Sequence, residues 1–121
     1  MRFLSMVRIN ENSGLTPSPE LMADMGKLME EMTREGKLID TAGLAPTATG
    51  VRVRWAGGKL SVVDGPFTEA KEVIGGYAVL EAASKEEAIE LTKRFLKVHG
   101  DEWTVECEVR QLVGHGEPCT E

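Results

Sequence analysis

The sequence predicts an α+β fold in which one sheet carries two helices. Two segments place apolar residues at helical spacing, and several shorter segments show the apolar runs or the two-residue alternation of strands. The chain has 121 residues, of which 41% are hydrophobic and 28% charged, the size and composition of one folded domain. We therefore expect a single domain over residues 1–113 and a flexible tail over residues 114–121.

The first helix is predicted to begin at Pro19. Ser18 is a suitable N-cap, and proline suits the first helical position because an N–H there would have no partner within the helix. Gly36 can adopt the left-handed conformation that ends helices. The apolar stripe, with spacings of four, three and four residues, consists of Leu21, Met25, Leu28 and Met32.

The second helix is predicted to follow Ser84 and to end at Gly100. Ser84 and Glu87 fit a capping box, in which the hydroxyl and the carboxylate each accept a hydrogen bond from a free backbone N–H. The buried stripe consists of Ala88, Leu91, Phe95 and Val98.

Five segments have strand patterns, and two of them form a hairpin around Gly57-Gly58, a strong two-residue turn signal. Residues 37–50 are rich in Gly, Ala, Thr and Pro, so we interpret them as a connecting loop, and residues 64–72 as a polar insertion. The predicted strands are 2–8, 51–55, 59–63, 73–82 and 103–111.

The resulting order is strand, helix, hairpin, strand, helix, strand. Right-handed crossovers place both helices on the same face of one sheet, which is the ferredoxin-like α+β pattern with an extra hairpin strand. Two strands are nevertheless apolar on both sides, because Leu4 and Met6 oppose Phe3 and Val7, and Tyr77 and Val79 oppose Ala78 and Leu80. An apolar sheet face usually marks an interface. We therefore expect a homodimer with the sheets packed face to face; a sheet with scattered exposed apolar residues is the alternative.

Composition argues against several classes of function. With 14 basic and 20 acidic residues the net charge is −6, whereas nucleic-acid binders normally present a basic patch. No apolar run approaches a membrane span or a signal peptide. Cys107 and Cys119 lack metal-ligand spacing, and no cofactor fingerprint is present. We expect a cytoplasmic protein with free thiols, without nucleic-acid or membrane partners, metal or cofactor.

The segment Asp64-Gly65-Pro66-Phe67 carries the most information about function. Aspartate normally closes a turn by accepting a hydrogen bond from the N–H two residues on, but Pro66 has none. The Asp64 carboxylate must therefore find the amide of Phe67 or Thr68, a basic side chain or a ligand. A stiff loop anchored by Phe67 and holding a carboxylate suits a binding site, and it equally suits a well-made turn.

Residues 64–77, DGPFTEAKEVIGGY, resemble the signature of the DGPF-domain group within the YCII-related family, whose usual form is DGPFAETKE followed by a Gly-Gly-Tyr strand. Thr68 and Ala70 depart from the commoner residues. The resemblance extends over residues 1 to about 113, through the Pro-containing helix start, Leu44-Ala45-Pro46 and the C-terminal strand.

The resemblance implies a dimeric α+β barrel. It also implies a possible enzyme, since some members of the family have a His and Asp pair in a cleft. The histidines of this chain, His99 and His115, do not lie where that histidine would align, so an acid–base role would fall to Asp64 or another carboxylate. The family is often encoded beside, or fused to, sigma factors of the extracytoplasmic-function type, which implies a regulatory alternative.

We expect a small-molecule pocket between the sheet and the helices. If the protein is an enzyme, Asp64 is the predicted general base or ligand-orienting carboxylate, and a base would need a pKa raised by partial burial. The alternative is a non-catalytic binding or regulatory module linked to a sigma factor. The predicted pocket rim consists of Asp64, Phe67, Glu69, Lys71 and Tyr77.

Several of these residues have a second interpretation. Arg52, displayed with Arg54 by strand alternation, could bind an anionic ligand or Asp64, or could meet Glu106 and Glu108 across the sheet. Tyr77 could place its hydroxyl near Asp64 or pack in the core. The methionines of the first helix fit core filling better than a ligand-binding wall.

Overall fold

An antiparallel four-stranded sheet and two helices form the body of the protein in the computed structural model, which describes residues 1–114. The strand order is β2-β5-β1-β6, and the sheet in these residues is open, not a closed barrel. A short 3-10 turn, Thr47–Thr49, precedes a separate hairpin of β3 and β4. The elements are β1 (Arg2–Ile9), α1 (Pro19–Arg34), β2 (Leu38–Gly43), β3 (Val51–Ala56), β4 (Lys59–Asp64), β5 (Val73–Glu81), α2 (Lys85–Lys97) and β6 (Glu106–Gln111).

Both predicted helix starts are confirmed. Ser18 Oγ accepts a hydrogen bond from the Leu21 N–H at 3.0 Å, and Ser84 Oγ accepts one from the Glu87 N–H at 3.1 Å. The Glu87 carboxylate accepts its backbone bond from Ala83, one residue before the cap. Neither helix, in the part of the chain that the structure describes, is long and apolar enough to cross a membrane.

The prediction that residues 37–50 form a loop is wrong, because Leu38–Gly43 is strand β2 at the edge of the sheet. Leu38 is the buried residue of this strand and the other five are exposed, so the sequence lacks the alternation of a half-buried strand. The pairing depends instead on backbone bonds to β5, supplemented by Thr41 Oγ1, which donates to the Tyr77 carbonyl at 2.8 Å. An edge strand held mainly by its backbone leaves little trace in sequence.

The prediction that the hairpin adds a strand to the main sheet is wrong. The hairpin forms a two-stranded sheet of its own. Gly57 and Gly58 form its turn with φ of 60° and 76°, so the turn prediction is confirmed. Every residue of β3 and β4 is exposed. The hairpin thus projects from the body and buries no core of its own.

The ends of the C-terminal segment differ from the predicted ones. The last strand begins at Glu106, three residues later than expected. Of the predicted tail, residues 115–121 lie outside the described residues, and the expectations for His115 and Cys119 lie there with them.

The core lies between the helices and one face of the sheet. Met32 is 2% exposed and Ala88 is fully buried. The core cluster consists of Phe3, Leu28, Met32, Leu38, Leu80, Ala82, Ala88 and Leu91.

The opposite face of the sheet, called the open face below, carries no helix in the described chain. Strand register pairs Leu4 with Val79 and Met6 with Tyr77 across β1 and β5. Directly paired residues share a face, so these four half-buried side chains form one apolar patch. The prediction that these strands are apolar on both sides is confirmed.

Candidate functional site

The corner that follows strand β4 is tied to the 3-10 turn. The Gly65 N–H donates to the Gly50 carbonyl at 2.8 Å, and the Phe67 N–H donates to Thr47 Oγ1 at 3.3 Å. The hydroxyl and the N–H of Thr47 each donate to the Glu11 carboxylate at 2.7 Å. These two bonds, the backbone bond first, lower the pKa of Glu11. The corner is therefore held to residues far from it in sequence.

Gly65 is required at this corner by a close approach of two backbones. A Cβ added to Gly65 would lie 1.7 Å from the Thr47 carbonyl oxygen and 2.7 Å from the Thr47 carbonyl carbon. Neither of these backbone atoms can swing aside as the end of a side chain can. The Gly of the DGPF motif thus has a structural explanation.

Asp64 is exposed, and its carboxylate has no hydrogen bond or ion pair within residues 1–114. The Phe67 amide, one of its predicted partners, is bonded to Thr47 instead. The carboxylate is therefore open to a ligand from solvent. The protein does not, in this single chain, supply the partial burial that a base near neutrality would need.

Three of the predicted site residues come together beside the corner. The Arg52 guanidinium lies over the Phe67 ring, 3.9 Å from its centroid, and Arg52 Nη1 donates to the Glu69 carboxylate. The pKa of Glu69 is lowered, first by the bond from its own backbone N–H and then by Arg52. This cluster neutralises Arg52 internally, so the side chain is not paired with Asp64.

The sequence predicts contacts for two further charged residues, Glu106 with Arg52 and Lys71 with a ligand. The partner of Glu106 across the sheet is Arg8, at 3.1 Å, and not Arg52. Lys71 is exposed and has no hydrogen bond or ion pair within the described chain.

Tyr77 lies on the open face, away from the helices. Its hydroxyl donates to Asp40 Oδ2 at 3.2 Å, and this bond to a carboxylate raises the pKa of Tyr77 above the usual 10.0. The expected contact between the Tyr77 hydroxyl and Asp64 is not made; the partner is Asp40. The structure therefore does not place Tyr77 with the Arg52, Phe67 and Glu69 cluster.

A cavity of about 420 Å³ lies between the helices and the sheet. Small residues form part of its floor on the sheet, and methionines form its wall on α1. It has no charged side chain among its lining residues within the described chain. These small residues and methionines are Ser5, Gly43, Gly76, Ala78, Met22, Met25, Met29 and Met32.

The cavity arises because short side chains face long ones. Gly43 of β2 is directly opposite Gly76 of β5, so neither strand fills the space above that pair. Gly76 is also confined by the neighbouring strand, since a Cβ there would lie 3.0 Å from the Ala42 carbonyl oxygen. A Cβ on Gly43 would have its nearest neighbour 4.0 Å away, so the cavity side of Gly43 is free.

The sequence predicts a pocket in this position, between the sheet and the helices, but with other lining residues. It assigns the methionines to core filling and residues 37–50, which contain Gly43, to a loop. The available signal was the Gly75-Gly76 pair inside a strand, since glycine within a strand often marks the close approach of another backbone. Of the six predicted site residues, only Tyr77 belongs to the cavity lining, where strand β5 passes beneath it.

The cavity holds one buried polar pair. Ser5 Oγ and Thr92 Oγ1 are 3.5 Å apart, and the two residues are 5% and 7% exposed. Each hydroxyl has one donor and two acceptor positions. Ser5 also forms a hydrogen bond with the Cys107 thiol, so Ser5 keeps one position unused beside those of Thr92. Cys107 lies on the same side of the sheet, opposite Val7, and burial raises the pKa of its thiol.

His99 lies two residues after Lys97, the last residue of α2, so the helix ends earlier than the predicted Gly100. Its Nδ1 lies 3.2 Å from the Phe95 carbonyl oxygen, and its ring packs edge-on against Phe95 and Trp103. No group of three or more His, Cys, Asp or Glu side chains within residues 1–114 is arranged to hold a metal ion.

Comparison with known proteins agrees with the resemblance of the 64–77 segment. The family model of the YCII-related domain matches residues 1–104. An uncharacterised protein of Rhizobium meliloti (strain 1021) is 33% identical over 73 residues, which cover 60% of this chain. The match spans 59% of the length of that relative. The protein described here belongs to the YCII-related family.

Proposed function

We propose that this protein binds a small molecule in the cavity between the helices and the sheet. The observation that carries the proposal is the cavity itself, because about 420 Å³ lies within the range of ligand pockets, roughly 300–1,000 Å³. Ligand pockets are mostly apolar with a few placed polar groups, and the Ser5–Thr92 pair is such a group.

The test is a titration with N-phenyl-naphthylamine, a neutral dye whose fluorescence rises in apolar surroundings. We expect saturable binding by the native chain and its loss in Gly43→Leu, whose side chain would occupy the cavity. Gly26→Leu is the matched control, because Gly26 is exposed on α1 and an added Cβ would meet no atom within 4 Å. Equal dye binding by the native protein and Gly43→Leu, with both folded by circular dichroism, would reject the cavity as the site.

Catalysis is a separate proposal, with Asp64 as ligand-orienting carboxylate or, once a bound ligand buries it, as general base. The carboxylate has no partner within residues 1–114, and its corner is attached to Thr47; both observations support the proposal. Glu11, which holds Thr47, follows two residues after Ile9 of the cavity lining, so the corner is anchored near one end of the cavity. The proposed ligand contacts are Arg52, Phe67, Glu69, Lys71 and Tyr77.

We also propose a ferredoxin-like fold and a homodimer formed through the open faces. The strand order β2-β5-β1-β6, with core contacts from both helices on one face, supports the first. The apolar patch of Leu4, Met6, Tyr77 and Val79 supports the second. Light scattering should then give twice the chain mass for the native protein and a monomer for Met6→Glu; a native monomer would refute the dimer.

The alternative function is a binding or regulatory module, in the cytoplasm, whose partner is a sigma factor of the extracytoplasmic-function type. The hairpin favours a protein partner, because Val53, Trp55, Leu60 and Val62 are opposed in pairs and therefore share one face. Trp55 and Leu60 are 69% and 70% exposed. If this alternative is right, Trp55→Ser with Leu60→Ser would abolish binding to that factor without changing dye binding in the cavity.

A further inference from the structure

We infer that the ligand portion held in the cavity is uncharged and predominantly apolar, with one hydroxyl or carbonyl group bonded to Ser5 and Thr92. This inference names the ligand class of the site proposed above and rests on that proposal.

The charge of the cavity lining restricts the ligand. Within residues 1–114 every lining side chain is neutral at ordinary pH, and the buried hydroxyls of Ser5 and Thr92 carry no formal charge. An ion placed there would lose its hydration without gaining an opposite charge, which is strongly unfavourable. A neutral molecule loses far less hydration. The cavity therefore selects against both carboxylates and ammonium groups.

The shape of the cavity combines an adaptable wall with a fixed one. Met22, Met25 and Met29 line the helix side, and methionine side chains are unbranched and adapt to irregular surfaces. The opposite wall at Gly43 and Gly76 is backbone and cannot adapt in this way. The cavity therefore suits compact apolar skeletons of varied outline, and each buried methylene should strengthen binding by about fourfold.

The buried hydroxyl pair can bind the polar group of a ligand. Ser5 and Thr92 lie on opposite sides of the core, one on β1 and one on α2, and their hydroxyl oxygens are 3.5 Å apart. A ligand hydroxyl or carbonyl that lies beside the pair, at hydrogen-bond distance from both oxygens, could bond to both, because each hydroxyl can donate or accept. These are the buried polar side chains of the described chain, so the ligand's polar group is directed to them.

The experiment uses four probes with one skeleton: para-tert-butylbenzyl alcohol, para-tert-butyltoluene, para-tert-butylbenzoate and para-tert-butylbenzylammonium. Each displaces N-phenyl-naphthylamine from the native protein near pH 7. We expect the alcohol to bind at least about tenfold more tightly than either ion, because charge burial is the larger cost. An ion that binds as tightly as the alcohol would overturn the inferred ligand class while leaving the cavity as the binding site.

A pair of variants tests the hydroxyl contacts. Thr92→Val keeps the side-chain shape. It should lower the affinity for the alcohol by about two- to tenfold, the effect of one hydrogen bond, without lowering the affinity for para-tert-butyltoluene. Ser5→Ala should do the same and serves if Thr92→Val does not fold. Equal losses for the alcohol and the toluene, or no loss for either, would overturn the hydroxyl assignment. Failure of the dye and all four probes to bind the native chain would instead overturn the proposed function itself.

Discussion

Replacing Gly65 by alanine tests whether the DGPF corner has the structural role that its geometry indicates. The added Cβ would lie 1.7 Å from the Thr47 carbonyl oxygen, so the corner must move away from the 3-10 turn. Such a movement would break the Gly65 N–H bond to Gly50 and the Phe67 N–H bond to Thr47.

The expected decrease in the free energy of unfolding follows from these two bonds. Each contributes about 0.5–1.5 kcal/mol to the free energy of unfolding, so Gly65→Ala should lower that free energy by about 1–3 kcal/mol. For a domain of this size, each kcal/mol shifts the melting temperature by about 4 °C. We therefore expect a melting temperature lower by about 4–12 °C.

Gly50→Ala is the matched control, because it makes the same chemical change at the same corner. A Cβ on Gly50 would be 3.5 Å from the Thr47 carbonyl oxygen, an ordinary contact, and its φ of −99° is accessible to alanine. We expect this variant to be as stable as the native protein or slightly more stable. Thermal unfolding by circular dichroism measures both variants. If Gly65→Ala and Gly50→Ala have the same melting temperature, the close approach does not limit this corner and the reasoning is refuted.

Three further substitutions test the corner and the core. Asp64→Asn should change the free energy of unfolding by no more than about 0.5 kcal/mol in urea titrations, because the exposed carboxylate has no partner within residues 1–114; a melting temperature several degrees lower would mean that it closes the corner. Met32→Ala should cost about 2–5 kcal/mol in the same assay, since Met32 is 2% exposed, whereas Met22→Ala at the 59% exposed position should cost about 0.5 kcal/mol or less; equal costs would contradict the assigned core. Because the bonds from Thr47 lower the pKa of Glu11 in the folded state, Glu11 stabilises the protein above its ordinary pKa of 4.5 and loses this effect as the pH falls through the folded pKa. The stability difference between the native chain and Glu11→Gln should therefore be present near pH 7 and shrink near pH 3; a difference independent of pH would contradict the carboxylate role.

Local sequence signals were sufficient to predict several parts of this structure. Ser18 and Ser84 cap helices because a hydroxyl at that position satisfies a backbone N–H a few residues away, and this geometry needs no tertiary partner. The Gly57-Gly58 turn has positive φ at both residues for a similarly local reason. Family membership also follows from sequence, since the motif at 64–77 and the YCII-related match at 1–104 depend on residue identity alone.

The pairing of the edge strand β2 could not be predicted from a residue pattern. In β2 only Leu38 is buried, so the strand has no alternating apolar face to detect, and its position depends on backbone bonds to β5. The Gly57-Gly58 turn predicts the hairpin, but its separation from the main sheet depends on which strands pair in the assembled fold.

By itself, the sequence determined the α+β class, the two helices, the hairpin turn and the family, because each depends on neighbouring residues or on a contiguous motif. Only the tertiary structure decided that Gly65 meets Thr47, that Arg52 is neutralised by Glu69, and that Gly43 lies opposite Gly76 below the methionines of α1. These contacts join residues distant in sequence, and a cavity is the space between such residues. No single segment carries its signature, because the space exists only when small side chains of the sheet and long side chains of a helix are brought face to face.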